Sequence, residues 1–392
     1  MNISAKRLTL QYAFIQGVYW MIYCGLYSFA TVYLLSKGLE SSQIGIVVAL
    51  GNVVGFILQP YISSLADKYQ NITLHRLIEV LLAVMVLGIV LLLVAPKCFL
   101  AILLLYVVAD AILQTLQPLL NSLSIYYQEA GIAVDFGIAR GFGSLFFAGM
   151  SSFLGVLCDK YGADMAMIST IILIAALFLL VWSLPLLKKV KADVDTKAEV
   201  KTNEGLGHFI KQYKAFTMVL LASTLLFTFH NMLNSYLIQV VNNVGGNTTQ
   251  MGTALTVAAI CELPAMFGFS FLATKISSSK LMIFASLAFS VKAVVTYLAP
   301  NMGMLYIAMV LQMFAFAVFT PASVYYVNEV IPKRYQYMSQ ALMVGTTTVS
   351  GVIASLLGGF LLQVASVKMM LLIGVIISIS GTILMVIFAK HK

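Results

Sequence analysis

The chain has 392 residues, of which 61% are hydrophobic and 9% charged, with a formal net charge of +9. Soluble cores stop growing beyond about 250–300 residues, so this much apolar sequence excludes a soluble globular protein. The basic residues are scattered rather than gathered on one face, which excludes a nucleic-acid-binding surface.

Apolar runs long enough to cross a bilayer recur along the whole length, and lipid forces such runs into helix because the backbone must satisfy its own hydrogen bonds. Twelve helices are predicted, at roughly 8–35, 42–66, 72–95, 99–128, 133–157, 165–187, 209–243, 248–274, 280–299, 302–329, 335–364 and 368–389. Residues 8–35 are too long for the apolar core of a signal peptide, so the first helix is expected to stay. Polar breaks separate the runs, among them Ala95-Pro96-Lys97, Asp159-Lys160-Tyr161-Gly162 and Gly245-Gly246-Asn247. One set of alternate segments carries Lys6, Arg7, Lys68, Arg76, Lys188 to Lys201, Lys275, Lys280, Lys333, Arg334, Lys390 and Lys392. The opposite set carries single lysines at 37, 97, 160 and 368. That asymmetry puts both termini in the cytoplasm of a multi-pass plasma (inner) membrane protein.

The first helix bears Gln16, Tyr19, Trp20, Tyr23 and Tyr27 on one face. Aromatic rings with polar tips suit a sugar or an aromatic solute; an interfacial aromatic belt is the competing explanation, and it fits Trp20 and Tyr23 poorly at mid-helix. The fourth helix carries Asp110, Gln114, Gln117 and Asn121, whose spacing of 4, 3 and 4 also defines one face. The stripe reads as the wall of a water-filled cavity, with hydrogen-bonded packing against neighbouring helices as the alternative. Residues 188–208 are polar and mixed in charge, and form a linker between a six-helix half at 1–187 and another at 209–392. The seventh helix supplies His230, Asn231 and Asn234, and the eleventh supplies Gln340 and Thr346 to Thr348. His230 is weighed both as a proton carrier and as a structural hydrogen-bond donor. Glu262, closely followed by Pro264, and Lys292 are charges inside the eighth and ninth runs, where a charge is costly and points to function. The four cysteines, Cys24, Cys98, Cys158 and Cys261, form no CxxC pair and are expected to be small buried residues.

Two echoes connect helix n with helix n+6. Leu65-Ala66-Asp67-Lys68 matches Leu272-Ala273-Thr274-Lys275, and Tyr126-Tyr127-Gln128-Glu129 matches Tyr325-Tyr326-Val327-Asn328-Glu329, as a duplicated six-helix unit requires.

The run Asp135-Phe136-Gly137-Ile138-Ala139-Arg140-Gly141-Phe142-Gly143 resembles the start of helix 5 in the lactose permease-like branch of the major facilitator superfamily, where it presents a substrate-binding arginine. Leu65 to Lys68 resembles that family's loop 2–3 motif, Ser290-Val291-Lys292 resembles its helix 9 segment, and Glu262 stands where it has an essential glutamate. The resemblance implies an all-α integral membrane fold of twelve helices in two pseudo-symmetric halves. It also implies a substrate role for Arg140. The galactoside-specific positions differ: an acid is replaced by Asn121, a tryptophan by Phe147, and the helix 10 His and Glu by Gln312 and Ala315. Nucleoside and phenylpropionate permeases belong to the same superfamily.

The expected function is therefore proton-coupled transport of a small polar organic solute, most readily a sugar or oligosaccharide, by alternating access, with a nucleoside or aromatic-acid permease, or an exporter of the same fold, as the alternative. Arg140, Asn121, Gln117, Tyr23, Trp20, Phe147, Asn231 and Asn234 are the expected solute-binding residues. Glu262, then Asp110, with Lys292, are the expected proton-coupling residues, since burial and a nearby base act on such a carboxylate in opposite directions. Asp110 is expected to pair with Arg140, and Glu262 with Lys292. No cofactor, metal or nucleic-acid partner is expected, and a monomer is. The sequence has no Walker motif, metal-ligand cluster or catalytic triad, which argues against an ATP-driven pump or an enzyme. The duplicated topology argues against a channel, and the short central loop against a sensor.

Overall fold

The fold is that of a computed structural model, which describes residues 5–68, 73–129, 132, 136–185 and 206–389. Side chains at 63–68, 129, 136–138, 140, 206–208, 270 and 337 fall outside that description, as do most of the linker and Asp135. The expected Asp110–Arg140 pair therefore lies outside the described residues.

Every regular element described is helical. The first span consists of α1 (Ala5–Tyr23), a π-helical turn (Cys24–Ser28) and α2 (Ala30–Ser36). There follow α3 (Ser41–Lys68), α4 (Leu74–Val94), α5 (Phe99–Glu129), α6 (Phe136–Tyr161) and α7 (Asp164–Trp182). After the short α8 (Leu206–Gln212), the seventh span is α9 (Lys214–Ser235) with α10 (Leu237–Asn243). The chain continues through α11 (Thr248–Lys275), α12 (Ser278–Leu298), α13 (Met302–Val310), α14 (Phe316–Val330), α15 (Gln336–Val364) and α16 (Val367–Phe388). Among the described residues, eleven segments are long and apolar enough to cross a membrane, and the bent first span, taken as one, makes a twelfth. Leu104, Phe153, Ile172, Trp182, Phe267 and Phe360 point outward, while Asp110, His230 and Lys292 are buried. This inversion of the soluble pattern is what lipid as solvent demands.

Three spans expected to be continuous are broken. The first bends by 43° beyond its π turn; there Gly25 lies so close to Thr170 and the Ala166 carbonyl that a Cβ would collide with them. The seventh breaks at Tyr236, whose hydroxyl donates to the Ser355 carbonyl at 2.6 Å and whose ring lies over Gly358. The tenth passes through a tight 3-10 turn at Leu311–Met313 before α14 resumes. The sixth span stops at Trp182, short of the expected 187, because Pro185 disfavours helix in the residue before it. The fifth runs on to Tyr161 and ends at Gly162, whose φ of +95° is a left-handed conformation that glycine adopts without a Cβ clash. Cys24 and Cys158 are buried as expected, but Cys98 is exposed and Cys261 half-exposed. Cys98 follows Pro96 and Lys97 in the turn between α4 and α5, clear of helix packing.

The chain divides into two compact units, Met1–Asp193 with Asn247–Ala259, and Val194–Gly246 with Ile260–Lys392. In the first, α1 packs on α6 and α7, and α4 packs on α5 and α7. In the second, α9 packs on α15 and α16, and α12 packs on α14 and α16. These are the same four pairings displaced by six spans, a structural counterpart of the sequence echoes. The second unit's interior is aromatic, with Phe216, Phe227, Phe289, Phe319 and Tyr326 in one cluster. In the first unit Tyr127 ties three helices together. Its hydroxyl donates to the Pro185 carbonyl at 2.9 Å and meets His75 Nε2 at 3.1 Å. Lys37 and Asp164, 3.0 Å apart, join the end of the first span to the start of α7.

The close packing of α3 on α5 depends on two glycines. A Cβ at Gly51 would overlap the Asp110 carboxylate, and one at Gly55 would press on Gln114 at 3.1 Å. Gly88 on α4 has nothing within 4 Å of its Cβ position. Gly51→Ala is therefore expected to destabilise the protein by about 1–3 kcal/mol through overpacking. Gly88→Ala is expected to be neutral or to stabilise by about 0.5–1 kcal/mol through helix propensity. Thermal unfolding of both variants in the same detergent checks the contrast, and equal melting temperatures would contradict it.

Candidate functional site

Each unit contains a buried polar network. In the first, Asp110 is fully buried near the middle of α5. Gln114, one turn on, donates through Nε2 to Asp110 Oδ2 at 2.9 Å and to Asn52 Oδ1 on α3 at 3.1 Å. Proline cannot donate a backbone hydrogen bond, so Pro118 leaves the carbonyl four residues before it without its helical partner. That carbonyl belongs to Gln114, and the Gln59 side-chain amide of α3 takes it at 3.0 Å. Tyr27, in the π turn of the first span, lies near both Asn52 and Asp110, and Asn52 Nδ2 is buried without a hydrogen-bond partner. Asp110 Oδ1 is buried and accepts no hydrogen bond.

An aromatic ladder runs along the same first span. Trp20 and Tyr23 ring centroids are 5.1 Å apart, and Tyr23 and Tyr27 stack at 4.9 Å. Trp20, Tyr23 and Tyr27 are half-buried, whereas Tyr19 is buried and donates to the Leu113 carbonyl at 3.2 Å. Gln16 is also buried, and donates to Tyr12 at 2.9 Å and to Asn121 Oδ1 at 3.1 Å. Asn121 thus fixes α1 to α5 through its oxygen. Gln117 is half-buried on the same helix, and Phe147 is half-buried on α6.

In the second unit Lys292 is fully buried on α12. Its Nζ donates to Gln312 Oε1, and Gln312 Nε2 donates to Glu262 Oε1 at 2.8 Å. Gln312 lies in the 3-10 turn that breaks the tenth span, so the break places an amide between acid and base. Glu262 and Lys292, expected as a pair, are joined through this third residue. His230 stacks on Phe316 with ring centroids 5.1 Å apart. Asn234 Nδ2 donates to His230 Nε2 at 3.0 Å, so the neutral ring carries its proton on Nδ1, a buried donor with no hydrogen-bond partner. Asn231 donates to Ser350 at 2.9 Å and to the Thr347 carbonyl at 3.2 Å, tying α9 to α15.

The polar stripe of α5 is thus one surface with two separate hydrogen-bond groups, Asp110 with Gln114 and Asn121 with Gln16. The sequence reading missed Asn52 and Gln59. They stand seven residues apart, two helical turns, on one face of an apolar run, and that spacing was the available signal.

The MFS_1 like family matches residues 10–373. Maltose permease of Geobacillus stearothermophilus is 24% identical over 371 residues, covering 94% of this chain and 91% of that protein. The uncharacterized transporter YwbF of Bacillus subtilis (strain 168) is 24% identical over 391 residues, covering 97% and 93%. Among solved structures, the nucleoside transporter NupG superposes with a TM-score of 0.82 at 16% identity, covering 100% of both chains. A bacterial homolog of the human lysosomal transporter Spinster, inward-facing and unoccupied, gives 0.73 at 12% identity, covering 99% of this chain and 98% of that one. At such identities the solved structures establish the common fold. With twelve spans, charges turned inward and a family match over nearly its whole length, this chain belongs to the MFS_1 like family and is a multi-pass membrane transporter of the major facilitator type, not an enzyme.

Proposed function

We propose that this protein transports a sugar or oligosaccharide across the plasma membrane by proton-coupled alternating access of two six-helix halves, 1–187 and 209–392, linked by a cytoplasmic segment. Both termini are cytoplasmic and the working unit is a monomer. The aromatic ladder Trp20–Tyr23–Tyr27 carries this reading. Its rings lie on the first span, and Tyr27 at its end lies near the amide network of Asn52 on α3 and Gln114 on α5. Pyranose rings present apolar faces that stack on aromatic rings and hydroxyls that bond to amides. The full-length similarity to a protein named as a maltose permease supports a neutral sugar. Phe147, Gln117, Asn121, Asn231 and Asn234 are proposed as further solute contacts. Glu262, Asp110 and Lys292 are the residues among which the coupling group is proposed to lie.

In proteoliposomes, radiolabelled maltose is expected to accumulate under an inward proton gradient and to leak out when a protonophore is added. Uridine and an aromatic acid are run alongside. Accumulation of either in place of maltose would transfer the assignment to a nucleoside or aromatic-acid permease. Uptake only under the inverted gradient would make the protein an exporter.

Arg140 is proposed to bind solute through its planar guanidinium, which a lysine cannot imitate at equal charge. Arg140→Lys is expected to weaken maltose binding at least tenfold, about 1.4 kcal/mol, in a thermal-shift titration. Wild-type affinity in this variant would make Arg140 a structural cation.

A further inference from the structure

We infer that Asp110, rather than Glu262, is the carboxyl that carries the coupled proton, and that its loading is sensed by the π turn of the first span. This rests on the proton-coupled reading above and names the group within it. The two carboxyls have opposite surroundings. Glu262 accepts from Gln312, which in turn holds the Lys292 ammonium, so a full positive charge stands one amide away. A carboxylate so compensated is at home as an anion. Asp110 receives one amide hydrogen bond, on Oδ2, while Oδ1 is enclosed and accepts none.

Among the described residues, the groups around Asp110 are all neutral. On α5 itself the titratable neighbour is Tyr106, whose hydroxyl donates to the Leu26 carbonyl at 2.6 Å. From the first span the neighbours are Tyr23 and Tyr27, and from α3 they are Asn52 and Gly51. The titratable side chains of α4, namely His75, Arg76 and Glu79, start beside Tyr127. That position is 17 residues along α5 from Asp110, about 25 Å at a rise of about 1.5 Å per residue. Lys6 and Arg7 stand at the far end of α1, and no described cation pairs with Asp110. An isolated buried carboxylate is among the costliest groups a protein can hold, whereas the neutral acid leaves one O–H donor without an acceptor, a far smaller cost.

The consequence is mechanical. A proton taken from one side of the membrane adds to Oδ1 and cancels the negative charge, and its release to the other side restores the anion. The anion must then recruit a donor. Tyr27 lies near Asp110, and it sits in a π turn, a helix defect that concentrates at functional sites. Drawing the Tyr27 hydroxyl onto Asp110 would alter the bend of the first span. In this way proton loading acts on the helix that carries the aromatic ladder.

Infrared spectroscopy of the purified protein in lipid nanodiscs tests the assignment without any solute. At neutral pH the wild type is expected to show the carbonyl stretch of a protonated carboxylic acid. Asp110→Asn should lose that band and Glu262→Gln should keep it. Gln114→Leu and Tyr27→Phe should shift its frequency, which keeps the test open if Asp110→Asn fails to fold. Absence of the band in wild type, its loss in Glu262→Gln, or no shift in both network variants would overturn the proposal. In proteoliposomes Asp110→Asn should retain labelled-maltose counterflow and lose gradient-driven accumulation. Normal accumulation by this variant would also overturn it. If wild type moves no maltose, the sugar reading fails and the infrared result still decides the proton site.

Discussion

The side-chain amide of Gln114 is the contact on which the first unit's interior depends. It donates to the Asp110 carboxylate and to Asn52, so a single group joins α5 to α3. Its own backbone carbonyl, released by Pro118, is held by Gln59 from the same facing helix. Inside a bilayer there is no water to take up an abandoned donor or acceptor, and each one left buried costs about 1–3 kcal/mol. The two helices must therefore lie close and in one register, which requires Gly51 and Gly55 where a side chain would intrude. The local chemistry of one proline and one glutamine thus sets a helix-helix distance.

The second unit repeats the device with a different outcome. Gln312 also uses its amide to bridge, and it lies 198 positions after Gln114, against 199 between the paired tyrosines Tyr126 and Tyr325. The tenth span is the six-span counterpart of the fourth, so the two glutamines lie at nearly the same depth in sequence, one residue apart in register. Gln114 links an acid to neutral partners, while Gln312 links an acid to the Lys292 ammonium. Duplicated architecture with divergent charge is what separates the roles proposed for the two carboxyls. The broken spans follow the same logic. The π turn holds Tyr27 and the 3-10 turn holds Gln312, so each network reaches a helix defect that can change shape.

Much of this was legible in the sequence because lipid leaves few options. The spans follow from apolar run length, and the stripe from Asp110 to Asn121 follows from helical spacing. The six-span repeat follows from the tyrosine echo. The breaks were not legible. Tyr236 has no proline or glycine beside it, and its break is held by a contact with Ser355 that is 119 positions away. Pro118 was visible, but the residue that would satisfy the carbonyl it frees was not, since only packing brings Gln59 there. Gln312 read as a lost histidine, whereas in three dimensions it is the bridge between Glu262 and Lys292. Gln16 read as part of a cavity wall and is instead buried against Asn121.

The central claim is that one buried carboxyl has no counter-charge among the described residues and the other has one. Melting temperatures of Asp110→Asn, Glu262→Gln, Lys292→Met and the Glu262→Gln/Lys292→Met double variant measure this most directly, because breaking a compensated buried pair costs about 3–5 kcal/mol while removing both members is near neutral. The account predicts an unchanged melting temperature for Asp110→Asn, a clear fall for each second-unit single variant, and recovery in the double variant. A fall for Asp110→Asn equal to that of Glu262→Gln, with no recovery in the double variant, would contradict it.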